Sequence, residues 1–272
     1  MAVELAEELR RLEDEGRTGV LHAGDGVFHL AGGAIASAAC RRTTGLDRLV
    51  VEAGVASAED WQRAGEGDPS PVLGRPLLET LALLSVFDAA YFLLSTPVIA
   101  EFRPAPAHWL SEVCHIRPRA LVHECVRRGD PESGPWPAEL VDRAVVVPVR
   151  RVRRRRVVLT GGQAEVLAAA DTRRSVTGIA RELGRTAYGC LEAVRELTEA
   201  GLIEPPVTAA GPAAPPVIAA PIAQQVITGP VPAEPPLRRR VRQATPVPEA
   251  DDWEPVDRDL LVRLRAALED LA

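Results

Sequence analysis

The sequence predicts an α+β fold: an N-terminal α+β domain with a small antiparallel meander, then a separate three-helix unit. Three observations carry this. "TGVL", "VFHLA" and "AIASAA" are short apolar runs separated by the glycine turns Gly24-Asp25-Gly26 and Gly32-Gly33, as in hairpin-linked strands. Apolar residues recur around them at helical spacing, most densely from Pro76 to Phe87. Residues 157–204 hold three further helical stretches, each opened by Ser or Thr, two of them closed by Gly.

The elements follow in order. Val3, Leu5, Leu9 and Leu12 define a first helix that Gly16 ends. The glycine cluster from Gly24 to Gly33 invites a phosphate-loop reading, which its context rejects. A dinucleotide fingerprint needs a third glycine opening a helix, and a phosphate loop needs Gly-Lys-Ser or Gly-Lys-Thr. Here His29 stands where that glycine belongs, the chain has no lysine, and Asp25 would repel phosphate. Two short helices follow, over Thr44–Gly54 and over Ser57–Ala64, the latter capped by Ser57. Beyond the apolar helix, Ala90–Leu94 and Ile99–Arg103 are expected to return to the sheet. "IRPRALVHECVRRGD" predicts a helix with Leu121, Val122, Cys125 and Val126 inward, and "PESGPWP" closes the first domain at about residue 135.

The stretch from Leu77 to Ala100 is nearly long enough to span a bilayer, but Asp88 lies at its centre. An acid there costs roughly 2.5–3.5 kcal/mol on insertion scales. A buried helix is the better expectation, with no membrane partner. The start "MAVELAEELRRLEDEG" lacks a secretory apolar core. Together with Cys40, Cys114, Cys125 and Cys190, scattered without close pairs, it predicts a reduced, cytoplasmic protein. Net charge is uneven: −7 over residues 1–100, +4 over 149–204 and −5 over 249–272. That pattern suggests modules with different partners.

In 157–204, Thr160 and Gln163 have capping-box spacing for a helix through Ala170, Ser175 caps a second helix stopped by Gly184, and Thr186 opens a third ending at Gly201. This segment, closing in "LTEAGLIE", resembles the winged helix-turn-helix of MarR-type transcriptional regulators. The first 130 residues are similar to the PATAN domain, through "GRTGVLHAGDGVFHLAGGAIASA", "ETLALLSVFDAAYFLL" and "ALVHECVRRGD" with Arg127, Arg128 and Asp130. That resemblance implies protein–protein signalling in bacteria and transfers no catalytic residue.

The expected organisation is a PATAN-like domain over 1–135, a winged helix over 145–205, a Pro/Ala-rich disordered linker over 206–250 and an amphipathic helix over 256–272. DNA readers would be Arg185, Thr186, Tyr188 and Arg195 on the third helix. Arg150, Arg151, Arg153, Arg154, Arg155 and Arg156 would contact phosphate, although the same run also suits a solvated edge strand. Against DNA, Glu192, Glu196 and Glu199 make the helix's outer face acidic. The terminal helix would dock a partner through Leu260, Leu261, Leu264, Leu268 and Leu271, with Trp253 as anchor.

Glu112, Cys114, His115, His123 and Cys125 can each ligate metal, but their spacing is not that of paired zinc ligands. No nucleophile elbow, triad or paired-carboxylate motif stands out, and no cofactor is expected. Two functions are therefore expected: a transcriptional regulator whose winged helix binds DNA as a homodimer, or a signalling adaptor in which that unit and the terminal helix dock proteins. Neither is an enzyme.

Overall fold

The computed structural model describes residues 3–95, 97–150 and 157–206. They form an α+β fold. Helix α1 (Val3–Asp14) leads into strands β1 (Gly19–Ala23), β2 (Gly26–Ala31) and β3 (Ala34–Cys40), joined by the two glycine turns. Gly32 and Gly33 both take positive φ, as a tight two-residue hairpin turn requires. A Cβ on Gly33 would also meet the Glu13 carbonyl at 2.7 Å, which brings the hairpin against α1. Asp25, in the other turn, pairs with Arg42 at 3.1 Å. The glycines thus build turns, as the sequence implies.

Helices α2 (Leu46–Glu52) and α3 (Ala58–Gly65) precede α4 (Leu78–Leu94), and β4 (Ala100–Pro104) joins the far edge of β1, giving the antiparallel order β3-β2-β1-β4. Helix α4 lies against β3. Ala90–Leu94, expected as a strand, is its last turn: all but Leu94 are buried, and a helix satisfies its backbone internally where a strand there would need a partner. Helix α5 (Pro118–Arg127) buries Leu121, Val122 and Cys125, but Val126 is 75% exposed, since it falls one step past the inward face.

Beyond α5 the chain does not leave the first domain's core. Trp136 is fully buried, and its indole Nε1 donates to Thr198 Oγ1 at 2.9 Å. Ala138, Val141 and Val146 are buried with it, and one hydrophobic core runs from Leu5 to Ile203. The three-helix unit follows as α6 (Gly161–Ala169), α7 (Val176–Glu182) and α8 (Ala187–Glu199). Each expected cap forms: Thr160 and Gln163 complete a capping box, Ser175 Oγ accepts from Gly178 N–H, and Thr186 Oγ1 accepts from Gly189 N–H. After α8 the chain pairs with the segment before α6: Val149 N–H donates to Leu202 O and Glu204 N–H to Val147 O. This short ribbon stands where a wing would begin.

Among the described residues no helix is long and apolar enough to cross a membrane. The expected linker and terminal helix, with Trp253, Leu260, Leu261, Leu264, Leu268 and Leu271, lie outside the described residues.

Candidate functional site

The third helix of a winged helix-turn-helix unit reads DNA with the exposed residues of its first turns, and α8 holds that position here. A helix leaves its first amides without intrahelical partners. Here all of them are occupied. Asp88, on α4, accepts from Ala187 N–H through Oδ2 at 2.8 Å and from Tyr188 N–H through Oδ1 at 2.7 Å. Thr186 Oγ1 takes the next amide, and Thr186 O accepts from Cys190 N–H. The acid that argued against a membrane span is thus a cap supplied from another helix, where a carboxylate also suits the positive end of the helix dipole.

Asp88 is 1% exposed. Burial pushes its pKa up to about 6, against the pull of the two amides and of Arg128. Next to it, the Tyr188 ring meets Tyr91 edge-on at 4.7 Å, and the Arg128 guanidinium lies 4.6 Å from the same ring. Arg128 also covers Phe87 at 5.4 Å and pairs with Glu124 at 3.3 Å. One cation thus ties α5, α4 and α8 together. Burial raises the pKa of both tyrosines.

Arg195 closes the other side. Its guanidinium donates to Trp136 O at 2.9 Å, to Pro131 O at 2.7 Å, to Tyr91 Oη at 3.4 Å and to Glu192 at 3.0 Å. Its side chain is 13% exposed. Arg185 pairs with Glu165 of α6 at 2.7 Å. Helix α7 is anchored as well: Thr177 Oγ1 donates to Arg42 O at 2.7 Å and Arg181 to Arg41 O at 2.6 Å.

Three of the four expected reading residues thus face the protein, where Thr186 caps, Tyr188 stacks and Arg195 binds carbonyls, while Arg185 stays exposed in an ion pair with Glu165. Within α8 only Gly189, Glu196 and Glu199 are exposed, because its remaining faces pack on α6 and α7 or on α4 and the Trp136 segment. Of the basic run, Arg150 is exposed, while Arg151, Arg153, Arg154, Arg155 and Arg156 lie outside the described residues. The sequence held one unused signal for this arrangement, an aspartate within an apolar helix, since a buried charge needs hydrogen-bond donors. Arg128 and Trp136 carried no such signal.

Among the described residues no three His, Cys, Asp or Glu side chains are placed to hold a metal. Cys114 and Cys125 are buried, which pushes their thiols up to about 11 and about 12. Glu112, His115 and His123 do not converge on them. Comparison with known proteins finds no matching family model, no matching curated protein and no matching solved structure.

Proposed function

We propose that this chain is a signalling adaptor that acts through protein contacts, with its helix-turn-helix-like unit serving as a packed part of the scaffold rather than as a DNA reader. One observation supports this reading above all: the first turn of α8 is docked on α4 through Asp88, with Tyr188 between Tyr91 and Arg128. Entering a major groove would require breaking buried charged hydrogen bonds worth about 1.5–3 kcal/mol each. The acids exposed on α8 would also face phosphate unfavourably. The PATAN-like resemblance of the first 130 residues points the same way, towards protein partners and no chemistry.

The test is binding of the full chain to a labelled random-sequence duplex over a salt series. The adaptor reading expects no binding at moderate salt. Any binding at low salt should be removed by replacing Arg154, Arg155 and Arg156 with alanine and left unchanged by Arg185→Ala. Duplex binding that persists at moderate salt and is weakened by Arg185→Ala would establish the regulator instead.

A further inference from the structure

We propose that the groove along the N-terminal half of α4 receives one amphipathic helix of a partner protein, apolar on its inner face and basic on its flanks. This rests on the adaptor reading and specifies the partner's chemistry. Helix α4 is covered by α8 only at its C-terminal end. Toward the other end it lines the groove with Leu81 and Leu84, three apart, with Leu84 43% exposed. That is the spacing by which one helix anchors another. The opposite wall includes the small residues Gly162, Gly189 and Ala193, and the groove between them holds about 380 Å³. One wall supplies apolar knobs and the other supplies room.

Leu77, the residue immediately before α4, is not part of the groove's lining but is unusual as well. It sits at φ +69°, in the left-handed region, while most of its side chain is in water. Both features are unfavourable for a leucine in the isolated chain, and such residues cluster where another molecule is held. Charge selects the occupant. Arg185, Glu192 and Glu196 line the groove; Arg185 is held by Glu165 and Glu192 by Arg195, so Glu196, which accepts only from the neutral Gln163 amide, carries the uncompensated charge. Glu79 and Glu199 are exposed on the helices that form the walls. The rim is acidic, which favours arginine or lysine on the incoming helix. It disfavours a second copy of this chain, whose symmetric contact would set acid against acid.

The test uses full-length protein and a labelled synthetic helix with leucine at i, i+3, i+4 and i+7 and arginine on both flanks, followed by fluorescence anisotropy. A peptide with glutamate flanks is the comparison. The arginine peptide should bind about tenfold tighter or more, Leu84→Glu should weaken it at least about tenfold, and Glu196→Lys should erase the preference. Val126→Glu, on another exposed surface, should change nothing. Leu84→Ala serves if Leu84→Glu melts early by circular dichroism, and it should still weaken binding. Equal binding of both peptides, no saturable binding, or indifference to the Leu84 variants would overturn the proposal. So would a dimer in sedimentation that Leu84→Glu converts to monomer, which would assign the groove to a second copy. None of these results alters the duplex measurement, so the two readings fail separately.

Discussion

Both halves of α4 are rich in leucine and other apolar residues, yet they differ in how far they are covered. From Ser85 to Leu93 the helix is largely buried among the sheet, α5 and α8, with Asp88 and Tyr91 held by polar partners. Toward Leu77 the same helix leaves leucines in water. Hydrophobicity alone cannot tell these halves apart, because a helix apolar all round signals only that something covers it. The difference lies in polar placement. The enclosed half carries a buried aspartate that fixes what covers it, whereas the acid of the open half, Glu79, stays in water.

The largest effect is therefore expected at Asp88. Asp88→Ala leaves two α8 amides buried without acceptors and should cost about 2–4 kcal/mol in denaturant unfolding. Asp88→Asn keeps one acceptor and should cost less. Arg195→Ala comes next, at about 1–3 kcal/mol, because it strips the Trp136 and Pro131 carbonyls of their donor. If either substitution is neutral, α8 is not held as described.

The pH dependence sets Asp88 against a half-buried histidine elsewhere in the fold, with opposite sign. Asp88 titrates at about 6 in the fold against 3.8 for an ordinary aspartate. The folded state therefore binds more protons between those values, and this group's contribution falls as pH rises through the window, by at most roughly 3 kcal/mol. His108 works in the opposite direction. Burial and the neighbouring His29, 4.7 Å away, lower it to about 4, and its neutral Nδ1 accepts from Leu110 N–H. The unfolded state then takes the extra proton, so this contribution rises with pH from about 4 to 6.5. Asp88→Asn should remove the first slope and leave the second, making stability climb more steeply with pH. An unchanged profile would place Asp88 in water.

The smallest stability effect belongs to the open half. Leu84→Ala should shift unfolding by less than about 1 kcal/mol, since much of that side chain is already hydrated. A loss several times larger would mean that Leu84 is covered within the chain.

What the sequence made legible divides along similar lines. The caps at Ser57, Thr160, Ser175 and Thr186, the glycine turns and the stops at Gly16, Gly184 and Gly201 are local chemistry, complete within a few residues, and each forms. What pairs across long separations was hidden. Asp88 meets Tyr188 from 100 positions away, and Trp136 meets Thr198 from 62. No pattern in either segment names the other. The expected reading face of α8 was sound as helical geometry. It could not reveal that α4 and α5 carry an aspartate, a tyrosine and an arginine shaped to cover it.

The most direct measurement is hydrogen exchange at the Ala187 and Tyr188 amides in the full chain. First-turn amides of a free helix exchange almost unprotected, since nothing within the helix accepts them. Docked on Asp88, both should be protected about as strongly as amides in the middle of α8, and Asp88→Ala should abolish that protection while leaving the rest of the helix slow. Fast exchange at both amides in the unaltered chain would contradict the account, freeing the start of α8 to meet another molecule.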